Sequence, residues 1–297
     1  MANALQDRSV KKIFPFIVLA FGIMGVSTGA IFARFAEAHP FVKSAYRISI
    51  ASLVLWPAAI LFSRDEFRKL KRRDFAITLL SGAFLAIHFA TWMTSLDYTT
   101  VASSVMLVNT IPIWIVLINA ALGKGLPTAA MWLCMLLAVI GASIVGYGDM
   151  SFGSDALLGD ALAVAGGVAA AAYIVCGGEV RAKLRLLPYT ALCYGTAAII
   201  IWCAVIFMKL EVTGFSSGTW LAFAGMALLS QIVGHSSYNW ALGYFSTGFV
   251  SIGLLGEPIG SAVLAYFLFG EYPTGLKLVG LALLLVSIVL AARSEGG

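Results

Sequence analysis

The second half of this chain repeats the first at a constant offset of 146 residues: Trp56 falls on Trp202, Leu96-Asp97-Tyr98 on Leu242-Gly243-Tyr244, Pro112 on Pro258, and Pro127-Thr128 on Pro273-Thr274. Each half also carries five long apolar stretches. Hydrocarbon offers no partner to loose backbone N–H and C=O groups, so runs of about 20 apolar residues must be helices rather than alternating strands. Five crossings reverse the starting side, and the second half therefore inserts upside down relative to the first. Inverted repeats of this kind mark secondary transporters, with a site between the halves near mid-membrane, although some channels share them. With 61% hydrophobic and 11% charged residues, the composition lies well beyond the roughly 45–50% apolar content of soluble domains. The expected fold class is an all-α polytopic membrane protein, ten transmembrane helices in two inverted five-helix repeats.

The spans are drawn near 13–35, 41–62, 74–96, 100–122 and 127–147, then 157–178, 187–209, 217–242, 247–269 and 274–292. The chain divides into a first repeat (1–147), an acidic and glycine-bearing connection (148–156) and a second repeat (157–297). The first apolar stretch is as long as a full span and is read as a retained helix, not a cleaved signal. An N-terminus on the cytoplasmic side puts all but Arg34, Lys43, Arg47, Lys209 and Lys277 of the 19 lysines and arginines inside. The positive-inside rule then places both termini in the cytoplasm. It also accounts for the net charge of +5, and no nucleic-acid reading is needed.

Polar residues within spans require a reason, since an ionisable side chain at mid-membrane costs about 2.5–3.5 kcal/mol on insertion scales. Gln231, His235 and Asn239 recur every four residues and form one stripe of an α-helix, with Ser236 and Trp240 on the adjacent line. His88, Trp92 and Ser95 share one face of the third span. Under the repeat offset Phe89 matches His235 and Trp92 matches Tyr238, so two equivalent helices present imidazole and aromatic groups at similar depth. His88, Trp92, Tyr173, His235, Asn239, Trp240 and Ser251 are the candidate substrate-binding residues. The competing reading for each is a bond to a neighbouring helix or plain core packing. Tyr173 follows the small-residue run Gly166 to Ala172, which allows close helix approach.

Pro112 and Pro258 occupy matched positions in the fourth and ninth spans. Proline removes a ladder hydrogen bond and crowds the preceding turn, so a bend is expected at each. With Gly256, these are the candidate hinges. Glu257 beside Pro258 is either a structural anchor or a carboxylate for a proton or a substrate amine. Arg34 is expected to snorkel at the outer interface, and Arg47 to pair near the outer surface with an acid such as Glu37.

No catalytic constellation emerges. Gly141-Ala-Ser-Ile-Val-Gly146 is off spacing for a nucleophile elbow, and no phosphate-cradling Gly-Lys-Ser/Thr loop is present. Cys134, Cys176, Cys193 and Cys203 lack metal spacing and are read as packing residues. No metal or cofactor is expected.

The stretches Ser95 to Trp114 and Gly256 to Thr274 resemble the two repeats of EamA-type carriers in the drug/metabolite transporter superfamily, and the likeness spans the chain. Within that superfamily the sequence is most similar to the YddG group of bacterial inner-membrane amino acid exporters, best known for aromatic amino acids. The resemblance implies a ten-helix carrier with a central cavity lined by helices 1, 3, 4, 6, 8 and 9. It further implies amino acids as substrate; the apolar composition implies the bilayer as surroundings, and ten helices around an internal cavity need no obligatory protein partner. Gly123-Lys-Gly125 departs from the Gly-Glu common in the family and kept at Gly270-Glu271. An exporter of drugs or other metabolites is the alternative, and a channel is a more distant one.

Overall fold

The computed structural model describes residues 2–99, 101–147, 154–269, 272 and 274–296. The connection at 148–153 and the residues Gly270, Glu271 and Pro273 lie outside them. Among the described residues every regular element is helical. The first half contains α1 (Ala2–Ser27), α2 (Gly29–Phe35), α3 (Pro40–Lys69), α4 (Arg72–Ser95), α5 (Val101–Val108), α6 (Ile111–Ala121) and α7 (Ala129–Tyr147). The second contains α8 (Ser154–Arg181), α9 (Leu186–Phe207), α10 (Ser217–Gly225), a π-helical stretch π1 (Met226–His235), α11 (Ser236–Ala241), α12 (Thr247–Leu254), α13 (Glu257–Phe269) and α14 (Gly275–Gly296).

Among the described residues eight helical segments are long and apolar enough to cross a membrane, the first being Ile13–Phe35 across α1 and α2 and the last Gly275–Ser294 in α14. Outward-facing side chains on them, such as Leu53, Leu61, Leu221 and Phe267, are exposed and apolar. Such a surface suits lipid rather than water. The chain is therefore a multi-pass membrane protein.

The two matched prolines do not bend continuous helices. Each helix stops and restarts instead: α5 ends at Val108 and α6 begins at Ile111, while α12 ends at Leu254 and α13 begins at Glu257. Pro112 and Pro258 are second residues of the new helices, where a backbone N–H would lack an intrahelical partner in any case. The interruptions, Asn109-Thr110 and Leu255-Gly256, correspond under the repeat offset. Gly123 and Gly125 flank Lys124 after α6 with φ of 68° and 83°, the left-handed region that glycine enters without a Cβ penalty. The departure from the family pattern at Lys124 is thus a helix-ending loop.

Packing joins the halves. Extensive contacts link α4 to α8 and α9, α3 to α9, α7 to α14, and α1 to π1. Glycines permit the tightest crossing. A Cβ on Gly25 would stand 2.8 Å from the Leu229 carbonyl and 2.9 Å from the Gly234 nitrogen, and one on Gly234 would stand 2.9 Å from the Val26 nitrogen. Small residues let two helix backbones meet where lipid offers no hydrophobic driving force.

Candidate functional site

A cavity of about 40 Å³ lies where the two halves meet. That volume holds a few waters and is far below the roughly 300 Å³ of a small-molecule pocket, so the walls are closed together. His88 and Trp92 enter it from α4, Tyr173 from α8, His235 from π1, and Asn239 from α11. Glu257 reaches it from the start of α13 and Asn109 from the α5–α6 break. Under the repeat offset Val108 pairs with Leu254, Ile111 with Glu257, and Trp92 with Tyr238, and both members of each pair face the cavity.

Aromatic rings dominate the wall. His88 stacks parallel to Trp92 with centroids 5.9 Å apart, His235 lies 6.4 Å from both His88 and Tyr173, and Phe89 meets His235 edge-on at 5.3 Å. His88 Nδ1 bonds the Gly166 carbonyl at 3.0 Å. A carbonyl only accepts, so Nδ1 carries a proton.

The hydrogen bonds divide the wall into anchored and free groups. Tyr173 donates to Asn239 Oδ1 at 2.6 Å, and Asn239 Nδ2 donates to Tyr194 Oη at 3.0 Å. Asn239 is thereby a clamp between two tyrosines as well as a wall residue. By contrast Arg47 Nη2, Trp92 Nε1, Asn109 Nδ2, His235 Nδ1 and Tyr238 Oη are buried without a partner. All five residues line the cavity. An unmet buried polar group costs about 1–3 kcal/mol, so these five call for a polar partner within the cavity, water or ligand; a sixth, Gln231 Nε2, lies off the wall.

Three expectations are corrected. Arg47 is not near the outer surface beside Glu37: it is 1% exposed, on the cavity wall. The helix starts at Pro40, with His39 Nδ1 accepting from the Phe41 nitrogen, and seven residues at 1.5 Å each carry Arg47 about 10 Å inward. Its Nε donates to Gln231 Oε1 at 2.9 Å and its guanidinium lies 4.3 Å from the Phe89 ring centre. Trp240 lies off the cavity. It is one residue, about 100° of α-helix, round from Asn239, and it packs on Phe14 and Tyr244 at 5.7 Å and 4.2 Å. Ser251 is fully buried but returns its hydroxyl to the Gly248 carbonyl at 2.7 Å. Only the end of α12, at Leu254, reaches the cavity.

The polar stripe of the eighth span is likewise altered by π1. A π-helix bonds i to i+5 and turns more widely than an α-helix, so the spacing of four that aligns His235 with Asn239 does not carry Gln231 onto the wall. Gln231 instead faces Arg47. Arg47, Asn109 and Tyr238 are wall residues absent from the candidates drawn from spacing alone; the start signal His39-Pro40 was the clue for Arg47, and the match to Trp92 for Tyr238.

The profile of the EamA-like transporter family matches residues 13–147 and again 157–293. The chain belongs to the EamA-like transporter family. Relatives of this transporter include an uncharacterized transporter of Synechocystis, 25% identical over 70% of this chain and 64% of that protein. Two uncharacterized transporters of Archaeoglobus fulgidus are 22% and 24% identical, over 87% and 93% of this chain and 90% and 95% of their own. A solved crystal structure shares the fold, with a TM-score of 0.76 at 19% identity over 95% of this chain and 97% of the other. The family and the relatives point to a transporter and not to an enzyme.

Two larger recesses of this transporter, about 480 and 290 Å³, share Asn119, Lys124, Ser246 and Thr247 in their walls. Leu242 faces both the larger recess and the central cavity, and so separates them. Four ion pairs tie the halves together on this side: Arg73–Glu179, Lys124–Glu179 at 3.4 Å, Lys183–Asp74 at 3.4 Å and Arg185–Glu66 at 3.3 Å. Beyond the cavity in the other direction, Thr28 bonds Ser230 at 3.0 Å and the Glu37 nitrogen donates to Thr219 Oγ1 at 3.1 Å.

Proposed function

We propose that this transporter exports amino acids, aromatic and other small neutral ones, across the bacterial inner membrane by alternating access. It does so as ten crossings in two inverted halves, with both termini cytoplasmic and no obligatory protein partner. The observation that carries the reading is the closed cavity between the halves, walled by aromatic rings and by five polar groups with unmet hydrogen bonds. An aromatic or small neutral side chain suits the rings, and a carboxylate and amine suit the polar groups.

The inverted arrangement is supported by the packing. Exchanging the halves turns the α4–α8 contact into that of α1 with π1 and α11, and turns α6–α8 into α1–α13. The α3–α9 and α7–α14 contacts map onto themselves. The basic loops support the orientation, and the likeness to the YddG group supports amino acids over other cargo. Pro112, Pro258 and Gly256 are the hinges of this cycle: the paired helix breaks let each outer half-helix tilt without disturbing the inner one.

Ligand-dependent stability in detergent tests the reading. A ligand that binds only the folded state adds about 2.7 kcal/mol at a hundred times its dissociation constant, so phenylalanine, tryptophan and small neutral amino acids should raise Tm in a saturable manner. His235→Ala, whose Nδ1 has no bond to lose, should abolish that shift with little change in ligand-free Tm, and His88→Ala should abolish it at a lower ligand-free Tm, since the bond to Gly166 is lost with the ring. Stabilisation by planar organic cations with none by amino acids would assign the site to drugs instead.

A further inference from the structure

We propose that Arg47 and Glu257 form a two-point charge site in which Arg47 receives the carboxylate of an α-amino acid and Glu257 its ammonium group. The assignment rests on the amino-acid reading above and names the groups that enforce it. Arg47 and Glu257 bring the one guanidinium and the one carboxyl group to the cavity wall among the described residues. They come from opposite halves, Arg47 on α3 and Glu257 at the first position of α13.

Arg47 is held on two sides and free on a third. Nε is bound to Gln231, the flat face lies on Phe89, and Nη2 is buried without a partner. A guanidinium so fixed presents a pre-oriented donor edge, the geometry that carboxylates accept best. Asn109 Nδ2, also unpartnered on the same wall, is a second donor for the same anion. Glu257 is anchored through its backbone alone, its carbonyl accepting from Ser27 Oγ at 3.1 Å. Its carboxylate makes no hydrogen bond and no ion pair among the described residues, with Arg47 or with any other base.

Two opposite charges that face one small cavity without touching are each stabilised by a ligand carrying the complementary pair. A zwitterion satisfies both and adds no net charge. An amine without a carboxylate leaves Arg47 unmatched, and an acid without an amine leaves Glu257 unmatched, so each is rejected by the cost of an unpaired buried ion. Because the two anchors lie on opposite halves, the same ligand also ties the halves together around itself. That couples recognition to closure.

The test is competition against counterflow of radiolabelled phenylalanine in proteoliposomes, using unlabelled phenylalanine, phenylethylamine (no carboxylate) and 3-phenylpropionate (no amine). In wild type both truncated compounds should compete at least about tenfold more weakly, the discrimination of one charge-assisted hydrogen bond. In R47Q the preference for phenylalanine over phenylethylamine should collapse while that over 3-phenylpropionate persists. In E257Q the opposite preference should collapse. Each ratio is taken within one variant, so yield cancels. If R47Q or E257Q does not fold, R47K and E257D replace them, with a smaller change in the same direction. Phenylalanine exchange with both ratios unmoved in the variants, or with the truncated compounds equal to phenylalanine in wild type, overturns the assignment alone. No exchange of any amino acid by folded wild type overturns the amino-acid reading, and the assignment with it.

Discussion

Tyr173 on α8 donates its hydroxyl to Asn239 Oδ1 on α11 at 2.6 Å, and both residues are buried on the cavity wall. Asn239 passes the connection to Tyr194, whose hydroxyl is 3.2 Å from Ser236 Oγ. Asn239→Leu removes the middle of this chain and strands the Tyr173 hydroxyl, while Tyr194 keeps Ser236. The expected loss is about 1–3 kcal/mol per stranded group, seen as a lower Tm by thermal unfolding in detergent. Tyr173→Phe should cost less, because Asn239 keeps its bond to Tyr194. Equal losses in the two variants would show that the bonds do not act as a chain.

The crossing of α1 and π1 depends on absent side chains. Gly25→Ala drives a methyl group against the backbone of Leu229 and Gly234, neither of which can rotate away. Overpacking of this kind costs about 1–3 kcal/mol. Gly218→Ala is the control: its nearest neighbour, Ser216 Oγ, is 3.8 Å from the added carbon, and Tm should hold or rise slightly. A tolerated Gly25→Ala would mean that the crossing is looser than its contacts indicate.

Glu179 takes ion pairs from both Arg73 and Lys124, which belong to the opposite half. These pairs are largely exposed on the basic side, where such pairs contribute about 0–1 kcal/mol each. Glu179→Gln should therefore change Tm little. It should nevertheless open the recess that Lys124 and Glu179 border. With the four native cysteines replaced, a cysteine at Thr247 should react faster with a polar maleimide in the Glu179→Gln background than in its absence. Unchanged labelling would remove these pairs from the closure.

If the paired helix breaks are hinges, Pro112→Ala and Pro258→Ala restore a backbone N–H and favour a continuous helix across Asn109-Thr110 or Leu255-Gly256. Turnover should fall with KM nearly unchanged, because only the movement is hindered. A change in KM alone would place the prolines in binding rather than motion.

Much of this architecture was legible before any coordinates. Long apolar runs admit only helices, and among the described residues every regular element is a helix, eight of the helical segments being long and apolar enough to cross a membrane. His88, Trp92, Tyr173, His235 and Asn239 all line the cavity; four were singled out because α-helical spacing gathers polar and aromatic groups on one face, and Tyr173 because it follows a run of small residues. Arg47 was misplaced although the start of its span was drawn within one residue of Pro40: seven residues of helix already carry a side chain about 10 Å inward, and that depth was not counted. Gln231 was misaligned because nothing in Met226–His235 announces a π-helix to a reader counting in fours. The prolines gave the positions of the interruptions, but whether a helix bends or stops is decided by the neighbours that hold each piece.

The most direct measurement is counterflow of radiolabelled amino acids by the purified transporter in proteoliposomes, against a panel of aromatic, small neutral and basic amino acids and compounds that are not amino acids. Saturable exchange led by aromatic and small neutral amino acids, lost in His88→Ala and His235→Ala protein that still folds, is the predicted result. Folded wild-type protein that exchanges none of the amino acids but exchanges another compound would refute the assignment of the central cavity to amino acids.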